Sequence, residues 1–361
     1  MSQQLDTIGR LGRLISGRPA PEPEAALDWT DPRLLGWSDL VATAVWPALG
    51  PSARVRHQSA LDGFALAHAL NSERNAAILR QLERIAVRLG AIGIAPVVVK
   101  GAAHLALGLW PSPGSRLVAD IDLLVAPDDL EATFAELEAM AGLGPQARGD
   151  PAVTADTKHM APLRGAGGPA PVEIHHTLFA EAATPLLPRD AVVAGAERTV
   201  LGATEILVPS PTHRVLHAVL HGLAGSGTYR APRLHLRDLL DIHFMERAHG
   251  DRIDWAWIAA HLTARGWASA LEITNQCLDR FVGMPPPFPR GDLRARLDAA
   301  RWRWQLEHPH TRRFGEAANL WAHMVWSLSA GGTARQRSVA YLRQPGTYRR
   351  AYRRYILGRQ E

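Results

Sequence analysis

The stretch Ala95-Pro-Val-Val-Val-Lys100-Gly-Ala-Ala-His-Leu105-Ala-Leu-Gly-Leu-Trp110-Pro-Ser-Pro-Gly-Ser115-Arg-Leu-Val-Ala-Asp120-Ile-Asp-Leu-Leu-Val125 decides the fold. Val97 to Val99 form a β-branched run, the composition of a buried strand. Lys100 and Gly101 mark the change of pattern. Ala102 to Trp110 are small and apolar and suit a helix, which Pro111 and Pro113 stop. After Gly114 the chain re-enters an apolar run, Ile121 to Val125, headed by Asp120 and Asp122. The reading is strand, glycine turn, helix, loop, strand. Side chains alternate along a strand, so both aspartates point to one side. Adjacent carboxylates repel each other and are costly to desolvate, and a divalent cation between them removes the conflict. Mg²⁺ takes a few carboxylate oxygens together with water and phosphate. The Lys100-Gly101 turn opens a helix, whose free N–H groups suit an anion such as phosphate. Phosphate cradle and aspartate pair make one expected site.

On the N-terminal side, residues 1 to about 24 are polar and Pro-rich and read as a loose lead-in. Asp28 to Leu49 fits one or two helices. His57 to Leu89 is strongly helical, with Leu61, Phe64, Ile78, Leu82 and Ile85 at helical spacing, and Gly90 and Gly93 end it. On the C-terminal side, a helix is expected from about Leu130 to Ala141. Thr157 to Leu163, a glycine-rich turn and Val172-Glu-Ile-His175 read as a hairpin. There Glu173 and His175 share one face, and Val172 and Ile174 the other. A second hairpin is expected around Gly202, and Ser210-Pro211 starts a helical half.

The quoted stretch resembles the polymerase-beta-type nucleotidyltransferase superfamily. Within it, the chain is similar to a bacterial family of uncharacterised nucleotidyltransferases. That family's pattern is an apolar strand, Lys-Gly, an Arg, then Asp-Ile-Asp-Leu-Leu-Val. Here these are Val97 to Val99, Lys100, Gly101, Arg116 and Asp120 to Val125. The chain has Ala119 where the family often has Ser, and Lys-Gly where the wider superfamily has Gly-Ser. The second departure leaves open how a triphosphate is gripped. The resemblance implies an α+β fold: a small mixed sheet carrying the carboxylates, helices before it, and a larger helical domain after it. The expected divisions are residues 1–93, 94–208 and 209–361. It also implies a third carboxylate at Glu173, so that Asp120, Asp122 and Glu173 hold metal, with two Mg²⁺ ions, and act as the catalytic set. Lys100, Gly101, Arg116 and His175 are then the candidates for nucleotide contact. Arg116 is equally able to pair with an acidic neighbour, and His159 and His175 to be packed histidines. The implied reaction moves a nucleoside monophosphate from an NTP, with ATP the first choice, to a hydroxyl of a small molecule, peptide or protein, releasing pyrophosphate.

With 47% hydrophobic and 21% charged residues, the 361-residue chain reads as globular rather than disordered. A net charge of +5, with arginine scattered, does not mark a nucleic-acid binder. The single cysteine, Cys277, excludes an intramolecular disulfide and fits a reducing cytoplasm. No apolar run suggests a signal peptide or a membrane span.

The helical half carries a second constellation. His213, His217 and His221 are four apart and line one helix face. His235, Arg237, Asp238, Asp241 and His243 follow on the next helix. They read as packed residues, as a cleft lining made by His221, Arg233 and Asp238, or as the centre of a metal-dependent phosphohydrolase using His217, His221 and Asp238. A non-catalytic nucleotide- or partner-binding module is the third reading. Residues 343–359 interleave Arg with Tyr, a basic aromatic face that reads as a solvated terminal helix or as a contact for an acidic partner, a membrane surface or RNA. Trp302, Trp304, Trp321 and Trp326 are expected to pack between helices.

Overall fold

The hydrophobic pattern builds a mixed sheet with helices on both faces. The computed structural model describes residues 2–18, 27–31, 34, 39–140, 144–145, 160, 162–165, 168–179, 183–225 and 232–311. His159, Trp321, Trp326 and the basic tail lie outside them. The strands are β1 (Val97–Val99), β2 (Ile121–Leu124), β3 (Gly144–Pro145), β4 (Leu163–Arg164), β5 (Val172–His175), β6 (Glu197–Leu201) and β7 (Thr204–Val208). Their order across the sheet is β3-β4-β5-β2-β1-β7-β6. β2 runs antiparallel to β1 and parallel to β5, and β1 runs parallel to β7. This is the expected α+β class.

Strand alternation divides the core in two. Val98, Ile121, Leu123, Val172 and Ile174 pack on one face against Ile78, Leu82 and Ile85. Those three belong to the long helix α4 (Gln58–Gly90), which follows α2 (Ala42–Ala48) and α3 (Pro51–Arg56). Val97, Val99 and Leu124 pack on the other face. There they meet helices α8 (Pro211–Leu220), α9 (Leu236–His249) and their neighbours. Asp122 and Glu173 fall on this second face, since each alternates with residues of the first.

Helix α4 does more than cover the sheet. Asn71 Nδ2 donates to Gly114 O at 2.8 Å and Arg116 O at 3.0 Å, and Asn75 Nδ2 to Pro113 O at 2.7 Å and Arg116 O at 2.8 Å. Further along, Gln81 exchanges hydrogen bonds with the backbone of Ala170. One helix therefore fixes the approach to β2 and the approach to β5.

Two sequence expectations are corrected. Residues 2–16 are not a loose lead-in but helix α1 (Ser2–Ser16), with Leu5, Leu11, Leu14 and Ile15 buried in the core. Its apolar residues recur at helical spacing, and that pattern outweighs the polar composition. Trp302 packs as expected, whereas Trp304 is half exposed and stacks on His308. Both lie on α12 (Leu293–Glu307), which follows α10 (Trp255–Ala264) and α11 (Ala268–Cys277). Burial pushes the Cys277 thiol up to about 12, so it stays a protonated core group. Among the described residues no helix is long and apolar enough to cross a membrane.

Two outcomes follow from the docking of α1. A Cβ at Gly12 would run into the carbonyl oxygen of Phe281, which is backbone and cannot rotate away. Gly12→Ala gains about 1 kcal/mol of helix propensity, yet the clash makes it destabilising by about 1–3 kcal/mol net. Urea unfolding measures this, and a raised midpoint would mean that α1 does not dock there. His243, on α9, places Nε2 3.0 Å from Ser16 O. Burial, with Arg18 and Arg247 nearby, pushes its pKa down to about 4 although the hydrogen bond opposes this. The unfolded imidazole has a pKa of about 6.5. Between these values the unfolded chain binds a proton that the native chain does not. Stability present above pH 6.5 is therefore lost as pH falls toward 4, by about 2 kcal/mol after solvent screening. Denaturation series near pH 7 and pH 5 should show this loss, and His243→Asn should reduce it.

Candidate active site

Parallel pairing of β2 with β5 sets the site. The register places Asp122 opposite Glu173 and Leu124 opposite His175. One oxygen each of Asp122 and Glu173 and one nitrogen of His175 all lie within 4.8 Å of one another. His175 Nε2 is 2.7 Å from Asp122 Oδ1 and 3.3 Å from Glu173 Oε2. Asp122 is fully buried, while the Glu173 side chain is 20% exposed and reaches solvent.

A carboxylate at that depth needs positive neighbours. Lys100 provides one: its Nζ contacts Asp122 Oδ1. It does so from the left-handed region, φ 54°, the one positive φ at a non-glycine among the described residues. That conformation is costly for a lysine and persists only where the surroundings fix it. Burial would push Lys100 down, but Asp122, Asp120 and Glu173 together hold it above its ordinary value. Burial would likewise raise Asp122; the hydrogen bonds from His175 and Lys100 outweigh it, and the carboxyl sits well below the usual range. Asp120 behaves oppositely. Burial, and then the negative charge of Asp122, push it up to about 6.

The sequence expectation grouped Asp120 with Asp122 and Glu173, and gave His175 to the nucleotide. In the structure the tight donor trio contains His175, with Asp120 beside it at the head of β2. Asp122 Oδ2 is buried without a hydrogen-bond partner. Two carboxylates, an imidazole and an orphaned oxygen at one point fit a divalent cation.

Arg116, expected to reach a triphosphate or an acidic neighbour, takes the neighbour. Its Nε and Nη2 donate to the two oxygens of Asp241 on α9 at 2.8 and 2.7 Å. Trp110 Nε1 also donates to Asp241 Oδ1, at 2.7 Å. His104 Nδ1 is 3.1 Å from the same oxygen, off the hydrogen-bond direction. All four side chains are buried. Arg116 is raised and Asp241 depressed, each because the partner's charge outweighs desolvation. Gly101 opens α5 (Lys100–Ala106), and a Cβ there would collide with the Arg116 guanidinium. The glycine thus makes room for the clamp.

Beside Asp120 lies a cavity of about 120 Å³, with Lys100, Gly101 and Arg116 on the sheet side and Arg214, His217, His221 and Asp238 on the helix side. His221 Nδ1 is 2.8 Å from Asp238 Oδ2. Asp122, Glu173 and His175 are the one group of three such donors within reach of a shared cation among the described residues. The His217, His221 and Asp238 set does not close into a second one. Sequence reading missed Asn71, Asn75 and Gln81; their signal was three polar residues on the buried stripe of a helix.

A mixed sheet with carboxylates on neighbouring strands beside a strained Lys-Gly turn defines a nucleotidyltransferase-like core. The model of the uncharacterised nucleotidyltransferase family matches residues 37–283, about two thirds of the chain, and the chain belongs to that family. No curated protein and no solved structure matches it.

The clamp is testable. Asp241→Asn leaves Arg116 buried with its charge uncompensated, and should cost about 3–5 kcal/mol. Pairing it with Arg116→Met should recover part of that loss in thermal or urea unfolding. Additive losses would show that the two side chains do not depend on each other.

Proposed function

We propose that the chain transfers a nucleoside monophosphate from a nucleoside triphosphate to a hydroxyl of a small-molecule, peptide or protein acceptor. The observation that carries this reading is the donor trio of Asp122, Glu173 and His175 within 4.8 Å, in a chain of a nucleotidyltransferase family. Asp122 and Glu173 hold a divalent cation, with His175 and Asp120 available to complete its shell and a second Mg²⁺ accommodated by the same carboxylates. Carboxylates suit Mg²⁺, and an imidazole widens the choice to Mn²⁺. When bound, the cation supplies positive charge to the phosphoryl oxygens and lowers the pKa of the attacking hydroxyl.

In the transfer, the acceptor oxygen bonds to the α-phosphorus, the α–β phosphoanhydride bond breaks, and pyrophosphate leaves. Glu173 takes the hydroxyl proton, because its side chain alone in the trio reaches solvent. Lys100 keeps Asp122 ionised. Residues 94–208 form the catalytic core on this reading, and helices α8 and α9 close the cleft.

The test is to incubate the protein with Mg²⁺ or Mn²⁺, labelled ATP or another NTP, and cell extract, and to look for a labelled acceptor. Asp122→Asn and Glu173→Gln should each reduce labelling by about 100-fold or more, and a chelator should abolish it. Labelling by Asp122→Asn at the wild-type rate would sink the reading.

A further inference from the structure

Lys100 and Arg116 are the cations that the sequence assigns to the triphosphate, yet each already faces a carboxylate, Asp122 and Asp241 respectively. The helix wall of the cavity differs. Arg214, on α8, is 4% exposed. Its Nε donates to Pro209 O at 3.0 Å, but its Nη1 is buried without a hydrogen-bond partner. It makes no ion pair among the described residues. The carboxylate that acts on it, Glu197, is held by Arg252 at 2.6 Å. Burial accordingly pushes Arg214 down to about 10, unusual for a guanidinium. Three residues on, His217 is 7% exposed and its Nε2 also has no hydrogen-bond partner. Phe179 meets its ring edge-on at 5.2 Å and limits its rotation. At the rim Arg237 of α9 leaves Nε without a hydrogen-bond partner, its nearest carboxylate contact being 4.0 Å to Asp238. All three side chains line the cavity shared with Lys100 and Asp120.

Buried donors left unpaired are costly, and a buried guanidinium without an anion more so. Two such groups one helical turn apart, on side chains that line one cavity, have a common remedy in an anion that enters beside them. A neutral imidazole can donate from Nε2 and a guanidinium from a planar edge, and a phosphate offers oxygens to both.

We propose that Arg214 and His217, with Arg237 at the rim, form an anion subsite that takes a phosphate group on the helix wall of the cavity. The subsite stands on these donors alone; only the source of the phosphate, donor nucleotide or phosphorylated acceptor, rests on the nucleotidyl-transfer reading.

Calorimetry with inorganic triphosphate, in EDTA, tests it directly. Wild type should bind; Arg214→Gln should bind about tenfold more weakly or worse, and His217→Gln should also lose affinity. Asp122→Asn should bind at least as tightly as wild type, since Lys100 is then released. Mn²⁺ binding, followed by electron paramagnetic resonance, should be the same in Arg214→Gln as in wild type. If Arg214→Gln does not fold, Arg214→Lys and His217→Gln carry the test, and both must bind more weakly. Competition between inorganic triphosphate and ATP assigns the subsite to the nucleotide; simultaneous binding of ATP and inorganic phosphate assigns it to the acceptor. Absence of triphosphate binding by wild type, or unchanged affinity in the variants, overturns the subsite and leaves the carboxylate reading standing. Failure of wild type to bind Mn²⁺ would instead undo the transfer reading and leave the subsite.

Discussion

A carboxylate with no solvent exposure, Asp122 in the second strand of the sheet, is the constraint around which the site is built. Removing an ion of that size from water costs several kcal/mol even after relaxation. The chain answers with Lys100 and His175, which approach the same oxygen. Lys100 reaches it from a backbone conformation that L residues rarely adopt. The strain at one residue and the burial of another are thus two halves of one compensation. The second oxygen of Asp122 is left without a partner, and Glu173 stands across the strand pair. What is compensated is enough to hold the carboxylate in place, and what is left over is a donor.

The Arg116–Asp241 pair plays a different part. It joins the loop before β2 to helix α9, 125 residues away along the chain. Both edges of the pair are hydrogen-bonded and Trp110 adds a third donor, so the desolvated charges meet the condition under which a buried pair holds. The same loop is gripped from the other side by Asn71 and Asn75. The position of Asp120 and Asp122 is therefore set by α4 and α9 together, and the cavity between sheet and α8 follows from that.

Faces were legible in the sequence, and partners were not. The period-two pattern gave Val97 to Val99, Ile121 to Val125 and Val172 to His175 as strands and put the acidic side chains on the correct sides. It could not give the register, and register decides which donors meet. Parallel pairing sets Asp122 against Glu173 and brings His175 in, so a residue read as a phosphate contact joins the donor trio. Arg116 carried two readings of equal standing because its partner is remote in sequence. Helix α1 was misread because composition was weighed above spacing; the fit of Gly12 on the backbone of Phe281 leaves no trace in local pattern. Asn71, Asn75 and Gln81 were visible as polar breaks in an apolar stripe, but a break says only that something polar is opposite.

Both walls of the cavity carry charge of both signs: Lys100, Arg116 and Asp120 on the sheet side, Arg214, Arg237, Asp238 and Asp241 on the helix side. Asp120 stands at the head of β2, next to the buried Asp122–Glu173 pair, while α8 contributes Arg214, His217 and no carboxylate. Lys100 and Arg116 are paired with Asp122 and Asp241, whereas Arg214 makes no ion pair among the described residues. A phosphate chain carrying a divalent ion is a ligand whose two signs of charge suit such a mixed lining. Affinity for such a ligand then depends on how firmly the helices are held against the sheet. The buried Arg116–Asp241 clamp, whose side chains line the same cavity, ties α9 to the loop before β2, and α9 in turn packs on α8.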